Sequence, residues 1–276
     1  MQEFQHRLKR SRNGSFRPED ALKVLKAEGS LRSISSLEAR TMLEAMTLRI
    51  DLHSHSSVSD GTETPSELVR QAQDAGLDIV AITDHDTSDG WAEASQTAHE
   101  LGMGLVPGLE LSTQNNGRSI HIVSYLVDPL HAELQEELLK IRGERVLRAK
   151  TIVDNISQDY DFAWELVAEQ APPGTTVGRP HIADALVKAG FSEDRSAAFR
   201  EILHPSRGYT IPTYAPEPWA GIELIRRAGG VPVLAHPGTS TRTIIPKEAL
   251  AKLVDAGLFG LEIEHPENLD ERKVQL

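Results

Sequence analysis

The chain lacks cysteine, long apolar runs and an excess of basic charge. Among its 276 residues there is no cysteine, which excludes disulfides and thiolate chemistry and leads us to predict a cytoplasmic protein. No apolar run approaches the roughly 20 residues that span a bilayer, so no membrane partner is expected. The formal net charge of −12 argues against a broad surface for duplex DNA. A small phosphate pocket remains compatible with this charge, because bound cations reverse the local field.

Three regions differ in their patterning. Residues 1–46 carry a basic cluster and two short helical patterns, and we interpret them as an N-terminal extension. From Leu48 onward, strand and helix patterns alternate, which favours an α/β fold with a parallel sheet or barrel. Residues 47–130 and 215–276 follow this alternation. Residues 131–214 interrupt it with helical stripes, so we predict a helical insert domain there.

The first strand ends in a histidine pair. Leu48, Ile50 and Leu52 alternate with polar residues, and His53 and His55 follow at the strand exit. Strand side chains repeat every two residues, so both imidazoles point the same way, about 6–7 Å apart. An H-x-H pair alone is weak evidence for a metal site, because polar residues are common where a strand ends.

Potential metal ligands recur at or near the ends of later strands. In α/β barrels, reactive groups collect at the carboxyl ends of the strands. Any one of these residues has an ordinary structural explanation, whereas the ordered set favours a metal site. The set comprises His53, His55, Asp60, Asp84, His85, Glu110, His121 and His236.

The hairpin signal Asn115-Asn116-Gly117 leaves two registers open. If the turn is Asn116-Gly117, His121 is the diagonal neighbour of Glu110 on the same face, at about 7–8 Å between backbones. If the turn lies one residue earlier, Glu110 and His121 face each other directly. In either register, a carboxylate and an imidazole can converge on one cation.

In order, these motifs resemble the polymerase and histidinol phosphatase (PHP) family of metal-dependent phosphoesterases. The closest likeness is to the branch that acts on nucleoside 3′,5′-bisphosphates and trims short RNA from its 5′ end, over residues 47 to about 270. The motifs are His53-Ser54-His55, Ser59-Asp60-Gly61, Thr83-Asp84-His85, Gly108-Leu109-Glu110, His121, Gly178-Arg179-Pro180-His181 and Ala235-His236-Pro237-Gly238.

The resemblance implies a distorted (β/α)7 barrel with two or three divalent ions, usually manganese, iron or zinc. By resemblance, His53, His55 and Glu110 would hold one ion. A second would be held by Glu110, His121 and His236, and a third by Asp60 and His85. The expected substrates are nucleotides or short RNA.

The chain departs from the family at its C-terminal end. The family's last strand carries a Gly-Ser-Asp-x-His motif, and this sequence stops at Leu276 before such a strand. Glu262, Glu264 and His265 are not at the matching position, and we interpret His265 as a rim or loop residue. We therefore expect the C-terminal strand to be missing, either because the sequence is a fragment or because a partner chain closes the barrel.

The resemblance also suggests a mechanism. Cations would activate a water for attack on phosphorus and neutralise the phosphate oxygens, so no side chain is predicted as a separate catalytic group. Arginine forks match phosphate geometry, which makes Arg118, Arg179 and Arg207, together with His181, candidate substrate ligands.

Two alternatives stay open. An amidohydrolase also begins with H-x-H but usually needs a mid-barrel lysine or a further histidine pair, and the mid-chain lysines Lys140 and Lys150 fall in the insert. The other is a truncated chain that binds metal and nucleotide with little turnover.

Overall fold

The computed structural model describes residues 48–239, 246–266 and 268–273. The predicted N-terminal extension, residues 1–46, lies outside the described residues. Among the helices of the described part, none has the length and apolar content needed to cross a bilayer.

The sheet contains six strands paired in sequence order: β1 (Ile50–Asp51), β2 (Ile79–Ile82), β3 (Gly104–Asn115), β4 (Arg118–Tyr125), β5 (Val231–Leu234) and β6 (Gly260–Leu261). Neighbours are parallel except that β4 runs antiparallel to both β3 and β5. The carboxyl ends of five strands and the amino end of β4 therefore lie along one edge of the sheet.

The sheet is curled. β1 and β6 stand at opposite ends of the strand order, yet His53 after β1 lies 3.0 Å from the carboxylate of Glu262 after β6. The hydroxyl of Tyr125 in β4 also donates to the carbonyl of Leu52. The six strands thus form an open half-barrel, and the predicted α/β class with a barrel-like sheet is confirmed.

The first helices follow their sequence signals. α1 (Pro65–Asp74) begins with a capping box, in which Thr64 accepts from the Glu67 N–H and Glu67 accepts from the Thr64 N–H. α2 (Trp91–Leu101) ends at Gly102, whose φ of 66° suits glycine. The later helices are α3 (Ala132–Ile156), α4 (Trp164–Ala168), α5 (Arg179–Lys188), α6 (Arg195–Glu201), α7 (Pro218–Arg227), α8 (Lys247–Asp255) and α9 (Asp270–Lys273), with a 3₁₀ turn at Pro205–Arg207.

The β3–β4 hairpin adopts the first of the two predicted registers. Asn115 pairs with Arg118, and Asn116 and Gly117 have positive φ of 50° and 74°, as a type I′ turn requires. Glu110 consequently faces Val123 across the hairpin. This register makes His121 the diagonal neighbour of Glu110.

Helix α3 belongs to two hydrophobic cores. Leu138 and Ile141 in its first half pack in a cluster with Leu111 of the sheet. Ile152 in its second half packs with Ile182 and the other helices of the insert. The predicted insert limits of 131–214 stay a prediction, but the start of α3 lies against the sheet.

Candidate metal centre

The loop after β1 is shaped by a buried carboxylate. Asp84, 1% exposed, accepts 2.7 Å hydrogen bonds from the Ser56 N–H, the Ser56 hydroxyl and the Ser59 hydroxyl. Gly61 folds back on this loop so closely that a Cβ there would lie 2.2 Å from the His55 carbonyl oxygen. Asp84 therefore uses both oxygens to hold the loop that carries the histidine pair. Asp84 was among the candidate metal ligands in the sequence, but its contacts are those of a residue that holds this loop in position.

The residues after β2 point in two directions. His85 forms a parallel bridge with Glu110, which places its ring beside that carboxylate. Asp86 has a positive φ of 54° and is fully buried. It accepts from the Ser112 N–H and hydroxyl, each at 2.7 Å, and pairs with Arg145 at 2.8 Å.

Glu110 is the centre of the cluster. Its side chain is 1% exposed, and five imidazoles surround its two oxygens. Oε1 lies 2.8 Å from His121 Nδ1 and 2.9 Å from His236 Nε2. Oε2 is approached by nitrogens of the other three rings, at 3.3 Å, 3.1 Å and 3.3 Å for His53, His55 and His85.

The structure brings all seven predicted metal ligands together. Asp60 completes the set, with its two oxygens 3.4 Å from His55 Nδ1 and 3.6 Å from His85 Nε2. Among the described residues, donor atoms converge closely enough to share an ion in four groups: His53–His55–Glu110, His53–Glu262–His265, His55–Asp60–His85 and His85–Glu110–His121. These assignments as ligands stay a prediction.

The donor set fits divalent cations. His53 Nε2 and His55 Nε2 lie only 3.1 Å apart, which brings two ring nitrogens against each other. His85 Nδ1 is buried without a hydrogen bond, because its 3.3 Å approach to Glu110 has unsuitable geometry. Buried polar atoms without partners are costly unless another group satisfies them. Imidazoles and carboxylates without thiolate suit Mn, Fe or Zn.

The electrostatics of the cluster favour charge on Glu110, His53 and His55, whereas burial holds the pKa of His85 well below its ordinary value. Burial opposes ionisation of Glu110, but the neighbouring rings of His85 and His121 hold its pKa well below the usual range. Burial lowers the pKa of His53, yet hydrogen bonds to Glu110 and Glu262 raise it to about 10. Burial lowers the pKa of His55, but its hydrogen bond to Glu110 raises it above the ordinary value. The site is thus built around a carboxylate charge that cations can share.

Two residues set aside in the sequence also join the cluster. Glu262 lies 3.0 Å from His53 Nδ1 and accepts from the His236 N–H at 2.8 Å. The His265 ring centroid lies 5.1 Å from that of His53 and 5.0 Å from that of His236. His265 lies in the loop after β6 with its ring beside the cluster, and its interpretation as a rim or loop residue stays a prediction. Both residues follow β6, so the strand-end rule that selected the other ligands would have found them.

An arginine cleft lies beside the cluster. Arg145 and Arg148 of α3 line a small cleft with Gly178 and Arg179 at the start of α5. The pKa of Asp60 is lowered, against the effect of burial, by two neighbouring imidazoles and then by the Arg145 guanidinium. Arg145 therefore stands close to the metal cluster. Sequence reasoning missed both α3 arginines, although arginine at every third position marks one helix face.

The four predicted substrate ligands are placed differently. Arg179 lines the cleft, and buried His181 accepts from the Gly178 N–H at 3.0 Å. Arg118 is exposed at the hairpin turn. Arg207 is exposed and donates to the Glu201 carbonyl within the insert. No contact described for Arg118 or Arg207 reaches the cluster, so their predicted role has no added support.

The fold and the site together define an α/β half-barrel protein with a candidate polynuclear metal centre at one edge of its sheet. A family model for the PHP domain matches residues 51–200. A 5′-3′ exoribonuclease of Haemophilus influenzae is 35% identical over 197 residues, covering 70% of each chain. A 3′,5′-nucleoside bisphosphate phosphatase of Chromobacterium violaceum is 33% identical over 225 residues, covering 78% of this chain and 76% of that protein.

Among solved structures, a candidate metal-dependent phosphoesterase from Bifidobacterium adolescentis aligns with a TM-score of 0.80 and 39% identity. The alignment covers 83% of this chain and 82% of that one. The chain belongs to the PHP family, as its motifs predicted.

Proposed function

We propose that the chain is a metal-dependent phosphoesterase that hydrolyses phosphate monoesters or diesters of nucleotides. Nucleoside 3′,5′-bisphosphates and short 5′-phosphorylated RNA are the proposed substrates, in keeping with the names of two relatives. The observation that carries the proposal is the convergence of five imidazoles on the buried carboxylate of Glu110. A cytoplasmic location remains a prediction from composition.

The ligand sets follow the two oxygens of Glu110. His53 and His55 approach Oε2, which supports a first ion held with Glu110. His121 and His236 approach Oε1, which supports a second. A third ion would be held by Asp60 and His85. Two or three bound cations would supply Lewis-acid charge that activates water and offsets the charge of the phosphate.

The protein's own residues would bind and orient the substrate. Arg148 donates through Nε to the Ile211 carbonyl, and its described contacts include no carboxylate. Burial and the nearby charges of Arg179 and Arg145 lower the pKa of Arg148 to about 10. An anionic phosphate at the mouth of this cleft would offset that repulsion, so we assign substrate binding to Arg145, Arg148 and Arg179. His181 lies in the first turn of the helix that begins at Arg179, and its role in substrate binding stays a prediction.

The test is phosphate release from adenosine 3′,5′-bisphosphate and nucleotide release from 5′-phosphorylated RNA, with Mn²⁺ and after complete chelation. Glu110→Gln is expected to abolish turnover, because it weakens every ligand set that shares this carboxylate. Arg148→Met should raise KM more than it lowers kcat. Arg227→Gln is the matched control, since Arg227 makes an exposed ion pair with Glu133. Activity that survives full removal of metal would refute the proposal.

The same purified proteins also test the two alternatives, an amidohydrolase and a protein that binds metal and nucleotide with little turnover. Lys140 lies over the Tyr214 ring at 3.6 Å and Lys150 over the Trp164 ring at 5.3 Å, so neither contributes a lysine to the cluster. This placement disfavours the amidohydrolase alternative. Hydrolysis of amides without any release of phosphate would favour that alternative again. A metal titration beside the activity assay distinguishes a binding protein from an enzyme.

A further inference from the structure

Glu262 connects the two edges of the half-barrel. Its backbone N–H donates to the Leu234 carbonyl of β5, and its own carbonyl accepts from the Asn268 side chain at 3.0 Å. Asn268 is 4% exposed and also accepts from the Gly238 N–H. The backbone that carries Glu262 is therefore held on both sides before its carboxylate makes any contact.

The carboxylate contacts two candidate ligands at once. Its oxygens lie 3.0 and 3.1 Å from His53 Nδ1. Oε2 also accepts from the backbone N–H of His236 at 2.8 Å. His236 has a φ of 29°, which is unusual for a residue with a side chain. The bond to Glu262 helps to hold this conformation, in which the His236 ring reaches Glu110.

We propose that Glu262 is a positioning residue, which fixes the His53 ring and the His236 backbone and so preorganises the cation site without itself being a ligand. A carboxylate facing Nδ1 keeps the proton there and leaves the Nε2 lone pair to the opposite side of the ring. That side faces His55 and Glu110. Carboxylates that orient metal-binding histidines in this way raise metal affinity about 10–100-fold.

The inference rests on the proposed metal centre but makes its own spectroscopic prediction. In Zn²⁺-loaded, ¹⁵N-labelled protein, His53 should carry its proton on Nδ1, with the resonance identified by its loss in His53→Gln. In Glu262→Gln the proton should stay on Nδ1 and its resonance should move upfield, because an amide is the weaker acceptor. A proton on Nε2 in the wild type would overturn the inference, since His53 would then bind zinc beside Glu262.

Metal titration gives the second readout. Glu262→Ala and Glu262→Gln should bind Zn²⁺ about 10–100-fold more weakly, with alanine the weaker, and with an unchanged number of ions at saturation. Glu264→Gln is the matched control, because Glu264 is 84% exposed and pairs with Lys273. Circular dichroism shows whether each variant folds. If Glu262→Ala does not fold, the Zn²⁺ affinity of Glu262→Gln alone tests whether Glu262 positions the site.

The outcomes separate the two proposals. If the Glu262 variants bound one ion fewer at saturation, Glu262 would be a metal ligand. If their affinity for Zn²⁺ were unchanged, Glu262 would have no role in metal binding. Either result would overturn this inference but not the proposed function. A wild-type protein that binds no cation would overturn the proposed function together with the inference.

Discussion

Substitution of Gly61 by alanine tests whether the loop after β1 holds His55 in place. A Cβ at position 61 would lie 2.2 Å from the His55 carbonyl oxygen and 2.6 Å from its carbonyl carbon. Both neighbours are backbone atoms, so no side-chain rotation can relieve the contact. To restore even a 3.0 Å separation, the His55 backbone or Gly61 must move by about 0.8 Å.

That displacement is large for a metal ligand. Ligand distances in metal sites hold within about 0.2 Å, so we expect Gly61→Ala to weaken Mn²⁺ binding at least about tenfold. Inserting an atom into a packed backbone contact should also lower the free energy of unfolding by about 1–3 kcal/mol. Isothermal titration with Mn²⁺ and urea denaturation of the chelated protein measure the two effects separately.

Gly143→Ala is the matched control. Gly143 lies in α3, and a Cβ there would meet no atom within 4 Å. Replacing an exposed helical glycine should raise the free energy of unfolding by about 0.5–1 kcal/mol and leave metal affinity unchanged. If Gly61→Ala matched the wild type in both stability and affinity, the argument that this close approach positions His55 would be wrong.

Three further predictions address support, pH and domain structure. Asp84→Ala should lower the free energy of unfolding, measured by urea denaturation, by at least about 3 kcal/mol, because it removes three hydrogen bonds to a buried carboxylate. Asp84→Asn should lower it less, and equal losses in the two variants would contradict this account. Burial lowers the pKa of His181, so the unfolded chain binds a proton at a higher pH than the folded chain does. The free energy of unfolding should therefore fall as pH drops below about 6.5. With metal chelated, this fall should be smaller in His181→Gln than in the wild type, and an equal dependence of stability on pH would argue against the prediction. Ile182→Ala removes a fully buried side chain of the insert and should cost about 2–5 kcal/mol. A separate insert domain predicts that the midpoint reported by Trp164 falls more than that reported by Trp91, whereas coincident shifts would show one cooperative unit.

Much of the candidate site could be predicted because its residues obey a simple geometric rule. His53, His85 and His236 each follow a strand, and parallel strands bring their carboxyl ends to one edge. His121 lies at the same edge although it is in the first half of its strand, because β4 runs antiparallel to its neighbours and its amino end is at that edge. The Asn116-Gly117 turn fixed the register that brings His121 to Glu110.

Other parts depended on contacts between distant segments. Nothing in the local sequence shows that both oxygens of Asp84 accept hydrogen bonds from Ser56 and Ser59, because these contacts exist only once β1 and β2 lie side by side. The strand-end rule points to Glu262 as a candidate, but its contact with His53 exists only because the sheet curls until β6 meets the end of β1. The periodic pattern of a strand predicts its faces but not the curvature of the sheet that contains it.

The position of the arginine cleft follows from the packing of one helix. Arg145 and Arg148 lie on α3 between the half that packs on the sheet and the half that packs in the insert. Arg145 is fixed to the sheet through its 2.8 Å ion pair with Asp86, whose carboxylate is also bound by Ser112. A tilt of the insert would therefore strain a buried ion pair before it could move this guanidinium. Because Asp86 directly follows His85, the same short segment places a candidate metal ligand on one side and the arginine on the other. The spacing between the candidate metal ligands and the α3 arginines proposed to bind phosphate is thus set by α3 and by the buried segment that directly follows β2.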